Sequence, residues 1–275
     1  MTAPPTFSTS GLDPMATLWL EHMTRERVPA NTVKARLSVL RSVGNPGTAT
    51  REEVEAWWAT RSHLKETTRS ANLAHLRSFY RWAARWDHRA DDPTLRLDAP
   101  KIPTALPHPA SRAEVMKLLD TLEGELRRAV ALGAFGGMRV AEAAVADWAD
   151  IDLESRRIRV HGKGQKERLI ALSPTLYDAI GPPCPGDRGN IVTAGGEPYT
   201  PDVLQRKVNR AIKAADVDGT FHWLRHRAAT VGLAATNGNL LAVARFLGHE
   251  SVATTTRYAA TSDEDLDVIA EAIAR

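Results

Sequence analysis

Five prolines fall within residues 87–110, DHRADDPTLRLDAPKIPTALPHPA, at positions 93, 100, 103, 107 and 109. A proline ring removes a backbone donor and clashes with the preceding helical turn, so at this density no helix or paired strand runs through the segment. An extended connection is what remains. The rest of the chain must therefore fold on one side of this stretch or the other, and 275 residues leave enough for a core on each side.

The N-terminal side reads as four helices. Asp13-Pro14 supplies an N-cap and an N1 proline for a helix carrying Met15, Leu18, Trp19 and Met23. Asn31 can cap a second helix with Val33, Leu37 and Leu40 on one face. Thr50 and Glu53 form a capping box ahead of Val54, Trp57 and Trp58. The spacing of Leu73, Leu76, Phe79, Tyr80 and Ala83 predicts a helix over about 67–86.

Beyond the prolines, Ser111 and Glu114 form another capping box, opening a helix to about 122, and a second spans about 124–135. Gly136-Gly137 breaks the pattern, with a new helix near Arg139. RRIRVHGKGQKERLIAL, residues 156–172, alternates apolar and polar on both sides of a glycine-containing turn, which predicts a β-hairpin. The chain after Thr200 is again helical. The expected organisation is a flexible lead (1–12), a helical domain (13–88), a proline-rich linker (89–110) and a second, mostly helical domain with a small antiparallel sheet (111–275). The fold class is mainly α.

Composition narrows the function classes. No run of about 18 apolar residues appears, which excludes a membrane-spanning helix. The first residues, MTAPPTFSTSGLDP, lack the basic and apolar regions of a secretory signal, so the expected location is cytoplasmic. The single cysteine, Cys184, excludes an internal disulfide and a cysteine-rich metal site. Net charge is only +3, but residues 1–100 hold 14 Lys/Arg against 11 Asp/Glu, and arginine outnumbers lysine 28 to 8. A guanidinium matches phosphate oxygens bidentately, although a GC-rich genome produces the same bias.

Several side chains could carry chemistry, and each taken alone is ambiguous. His222 and His226 in FHWLRHRAAT share a helix face at the spacing of H-E-x-x-H zinc sites. The catalytic glutamate of that motif is replaced by Trp223, and Arg225 would repel a dication. Arg139 in GMRVAE stands at a helix start, where an anion is favoured; Glu142 could equally be its salt-bridge partner. Lys163 in GKGQK sits at a hairpin tip that an ordinary solvated turn would also explain. His249 and Tyr258 lie in LGHESVATTTRYA among small residues.

The ordered set Arg139, Lys163, His222, Arg225, His249 and Tyr258 resembles the signature of the tyrosine recombinases, the phage-integrase and Xer-like family. GMRVAE is similar to the family's G-[LM]-R-x-[SG]-E box and HGKGQKERLIAL to its lysine hairpin. FHWLRHRAAT is similar to H-x-L-R-H-[TS]-x-A-T, and LGHESVATTTRYA to L-G-H-x-[SN]-x-x-T-T-x-x-Y. DDPTLRLDAPKIPTALP resembles the inter-domain connection of Xer-type members, and TTRSANLAHLRSFYRWA the last helix of their DNA-clamping domain. One departure is Arg227, where the family has a small hydroxyl residue; it is expected to add a cation near the site.

The resemblance implies a site-specific DNA recombinase needing neither metal nor ATP, with no cofactor. Arg139 and Arg225 would hold the scissile phosphate, and Tyr258 would attack it to give a 3′-phosphotyrosyl link. His222 would accept the phenolic proton, Lys163 would protonate the leaving 5′-oxygen, and His249 would bond the phosphate. Glu142 and His226 would orient these groups. Lys34, Lys65, Arg69, Arg77 and Arg81 are the candidate DNA contacts of the first domain. Implied partners are a duplex core site with inverted half-sites, a homo-tetramer on two such sites with the C-terminal helix (Leu266, Val268, Ile269, Ile273) docked on a neighbouring protomer, and an accessory directionality factor. The short lead before residue 13 favours a simple two-domain recombinase. A catalytically silent DNA-binding regulator on the same fold is the alternative, disfavoured because all six positions are filled.

Overall fold

The computed structural model describes residues 7–102, 109–162, 166–181, 189–248 and 263–274. The chain divides into two compact units, Met1–Ala105 and Leu106–Arg275.

The first unit is built from α1 (Pro14–Arg25), α2 (Ala30–Val43), α3 (Arg51–Ala59) and α4 (Glu66–Arg85). Asp13 caps α1 by accepting from the amides of Met15 and Ala16, and Thr50 with Glu53 closes a reciprocal box on α3. Asn31 is not a cap: α2 begins at Ala30, behind Pro29, and has no side-chain cap. The fixed φ of the proline sets that start instead. Ala16, Trp19, Leu20 and Met23 form the buried face of α1, a spacing that leaves Leu18 43% exposed. They meet Leu37 and Leu40 of α2 and Leu73, Leu76 and Phe79 of α4, with Trp19 edge-on to Phe79 at 5.4 Å between centroids. Truncating one such leucine to alanine costs about 2–5 kcal/mol.

The expected linker starts too early. Arg89 donates to the carbonyls of Gly47 and Ala49 at 3.0 and 2.7 Å and pairs with Asp91, while Leu97 is buried in the first unit's core. Proline excludes helix there, but it does not prevent an irregular segment from packing.

The second unit contains α5 (Arg112–Thr121), α6 (Gly124–Ala134), α7 (Val140–Ala143), a 3₁₀ turn (Trp148–Asp150), β1 (Ile151–Asp152), β2 (Arg157–His161), β3 (Glu167–Ala171) and α8 (Pro174–Ile180). There follow β4 (Thr193–Ala194), β5 (Glu197–Pro198), α9 (Pro201–Ala214), α10 (Phe221–Ala235), α11 (Leu240–Leu247) and α12 (Asp263–Ala274). The expected hairpin is β2–β3, antiparallel with His161 opposite Glu167. It is widened by β1, which the alternation pattern did not reveal because it is two residues long.

Helix α6 buries Ala129 through Ala134 and forms the centre of this unit. Small residues let its neighbour come close: a methyl on Gly133 would lie 3.0 Å from the Phe221 ring of α10. On α10, Gly232 similarly leaves room for Ile269 of α12.

Within a single chain, helix α12 seats on its own unit, packed against α10, α11, β3 and α8, with Ile269, Ala270 and Ile273 buried. The Arg157–Asp267 ion pair, 2.8 Å, ties it to β2. Arg227 does not add the expected cation to the candidate site. It is 3% exposed and donates to the Ile273 carbonyl at 2.7 Å, capping the negative end of α12.

Candidate active site

Gly136 and Gly137 create the site by ending α6 abruptly. Gly137 has φ +59°, and a Cβ there would sit 2.8 Å from Leu247 Cδ2 and 3.0 Å from Phe246 Cε1. The left-handed turn sends the chain back so that Arg139 becomes the N-cap of α7, a single helical turn. The expectation of an anion site at this helix start is altered: Glu142 already accepts the Arg139 backbone N–H at 2.8 Å. The same carboxylate accepts the Arg139 guanidinium at 2.7 Å, so the salt-bridge alternative is realised.

Three elements converge here. Arg139 Nη2 donates to the Gly248 carbonyl at 3.0 Å. Arg225, on α10, donates from Nη1 to the Gly137 carbonyl at 2.6 Å and from Nη2 to the Leu247 carbonyl at 2.8 Å. Both arginines thus meet at the end of α11, where Gly248 takes a left-handed C-cap conformation, φ +68°. They differ in access, since the Arg139 side chain is 41% exposed and that of Arg225 only 4%. Burial first, and the Arg139 charge second, push the Arg225 pKa down to about 9, still high enough to keep it cationic at neutral pH.

His222 lies one turn before Arg225 on α10 and is exposed. Partial desolvation, then the charges of His226, Arg225 and Arg139, lower its pKa below the ordinary histidine value. It is therefore neutral at pH 7 and able to accept a proton. His226 stacks edge-on against it, 4.4 Å between centroids. Among the described residues no group of three or more His, Cys, Asp or Glu is placed to hold a metal ion.

Lys163, His249 and Tyr258 lie outside the described residues. Lys163 follows β2 by two positions and His249 directly follows Gly248.

A second partner of Glu142, with a side chain 10% exposed, was not expected from the sequence. Arg168 on β3 grips both carboxylate oxygens, Nη1 to Oε1 and Nη2 to Oε2, each at 2.9 Å. Its Nε donates to the Phe246 carbonyl at 2.8 Å. A signal was available: on a period-2 strand Arg168 shares the face of buried Ile170. A charge on an inward face requires a buried counter-charge.

In the first unit, Lys34, Lys65 and Arg81 are exposed. Arg69 and Arg77 are used within the unit, Arg69 stacking on Trp58 with 4.6 Å from guanidinium to ring and Arg77 donating to the Leu97 carbonyl.

The model of the phage integrase family matches residues 111–265, more than half of the chain. The chain belongs to the phage integrase family. Among relatives of this integrase-family chain, tyrosine recombinase XerC of Rhodospirillum centenum is 32% identical over 77% of this chain and 67% of its own length. Among solved structures, a lambda integrase dimer bound to a COC′ core site aligns with TM-score 0.70 at 18% identity, covering 90% of this chain and 97% of that one. A lambda integrase tetramer bound to a Holliday junction aligns with TM-score 0.69 at 17% identity, covering 90% and 79%. At these identities the two structural likenesses concern the fold: a mainly helical chain with a small antiparallel sheet.

Proposed function

We propose that this chain is a site-specific DNA recombinase that cleaves and rejoins strands through a 3′-phosphotyrosyl intermediate, without metal ion or ATP. The observation that carries the reading is the meeting of Arg139 and Arg225 at the end of α11, with a neutral His222 one turn away, in an integrase-family unit.

Cleavage concentrates negative charge on the non-bridging phosphate oxygens, and fixed cations that meet this charge lower the barrier. Loss of one such donor typically costs about 10²–10³ in rate. Arg139, the more open guanidinium, contacts those oxygens directly. Arg225 adds positive charge from a desolvated position, where it is weakly screened. Tyr258 attacks phosphorus; the tyrosyl O–P bond forms as the P–O5′ bond breaks. His222 takes the phenolic proton and Lys163 gives one to the departing 5′-oxygen. His249 bonds the phosphate, Glu142 fixes Arg139, and His226 orients His222. Rejoining reverses the sequence with the 5′-hydroxyl of a partner strand, so the phosphodiester's energy is retained.

The substrate in this reading is a duplex core site with inverted half-sites, bound by a homo-tetramer spanning two sites. The lambda integrase tetramer supports that assembly. Each α12 would leave its own seat for the matching groove of a neighbour. Lys34, Lys65 and Arg81 supply phosphate contacts from the first unit, while Arg69 and Arg77 fix its shape. An accessory factor sets direction, and the reaction takes place on DNA in the bacterial cytoplasm.

The test is a nicked suicide substrate carrying the core site. It should trap the protein covalently, in EDTA as well as in magnesium, and Tyr258→Phe should abolish trapping. Trapping at the normal level by Tyr258→Phe, or its loss in EDTA, would sink the mechanism.

A further inference from the structure

Glu142 is 4% exposed and surrounded by three guanidiniums: Arg139, Arg168 and, at 3.8 Å, Arg225. Its two oxygens accept four hydrogen bonds, two from Arg139 and two from Arg168. Burial raises its pKa; the hydrogen bonds and charge of Arg168, followed by those of Arg139, more than offset this and hold it below the ordinary carboxylate value. Arg168 is therefore the main partner of the carboxylate, although it has no place in the six-residue signature.

We propose that Arg168 is a positioning residue: it neutralises Glu142, so that Arg139 and Arg225 keep their charge for the phosphate, and it fixes β3 against the end of α11. The inference rests on the recombinase reading. Four observations carry it. The bidentate fork satisfies both Glu142 oxygens in parallel, a geometry that lysine does not provide. Three cations around one carboxylate leave two positive charges over, and removing Arg168 would leave one. The Nε bond to the Phe246 carbonyl joins β3, four residues on from Lys163, to the turn that precedes His249. A Cβ on Gly248 would lie 3.1 Å from Arg168 Cδ, so the side chain is packed against that turn. Arg168 thus touches the segments leading to Lys163, Arg139 and His249, with Nε, Nη1 and Nη2 all engaged by the Phe246 carbonyl and Glu142.

A double-variant cycle tests this, reading single-turnover cleavage of the suicide substrate at saturating protein, DNA affinity and thermal midpoint. Arg168→Gln should cleave about 100-fold more slowly, the scale of a small misplacement of catalytic groups, with DNA affinity within about threefold of the parent. Arg168→Lys keeps the charge without the fork and should fall between. Adding Glu142→Gln to Arg168→Gln removes the unpaired carboxylate and should restore at least tenfold of the lost rate, about 1.4 kcal/mol. The double variant leaves no buried carboxylate without its main partner, so it also serves if Arg168→Gln alone does not fold, which counts as zero rate. Parental cleavage by Arg168→Gln, or a double variant no faster than the single one, overturns the proposal. If the parent itself is not trapped through Tyr258, the recombinase reading fails instead. The midpoints then still test the ion pair, because Glu142→Gln must raise that of Arg168→Gln.

Discussion

Substituting Gly137 by alanine isolates what the glycine break contributes. A non-glycine residue at φ +59° costs roughly 1–2 kcal/mol in backbone strain. The new methyl would also sit 2.8 Å from Leu247 Cδ2 and 3.0 Å from Phe246 Cε1, both on buried residues of α11. Forcing such a contact in a packed core adds about 1–3 kcal/mol. The sum, about 2–5 kcal/mol, is a large share of the ~5–15 kcal/mol that holds a domain folded. Gly124 provides the control: its φ is +54°, but a Cβ there meets nothing within 4 Å. Gly124→Ala should therefore show the strain alone. Thermal and urea unfolding of the two variants, side by side, should place Gly137→Ala below Gly124→Ala by roughly 1–3 kcal/mol, or some degrees at ~2–4 °C per kcal/mol. Gly137→Ala should also cleave more slowly, because the Gly137 carbonyl receives Arg225. Equal stability for the two variants would refute the close-approach reasoning.

Two further outcomes are expected. The cleavage rate should be level at neutral pH and fall only as the pH drops below 6.5, since the His222 pKa is lowered and the base is lost only when it becomes protonated; a limb centred above 6.5 that persists in His222→Ala would assign the titration elsewhere. Arg227→Gln should weaken the cap on α12 by about 1 kcal/mol and speed amide exchange in residues 263–274. Unchanged exchange there would show that the Ile273 carbonyl bond contributes nothing to holding the helix.

Local signals in the sequence were sufficient for much of the fold. Asp13, Thr50 with Glu53, and Ser111 with Glu114 cap the helices they were expected to cap, because capping depends on residues within one turn. The hairpin pairs as its alternation predicts. Asn31 failed as a cap because two adjacent start signals competed and the proline prevailed. The linker was over-extended because Leu97 and Arg89 find their partners at Arg77, 20 residues away, and at Gly47 and Ala49, 42 and 40 residues away, positions that no local window contains.

The sequence by itself determined the family, the mainly helical class and the order of the motif residues, since each is written in short-range spacing of residue types. Where the charges point was decided only by tertiary structure. Arg139 and Arg225 are 86 positions apart, yet they meet at the end of α11 because Gly137 turns the chain and small residues on α6 let α10 approach. Arg168 is gathered to Glu142 by the inward face of β3, and Arg227, two positions from Arg225, is directed to α12 instead. A buried guanidinium goes to the acceptor that packing brings within reach, and sequence neighbours on a helix face different partners.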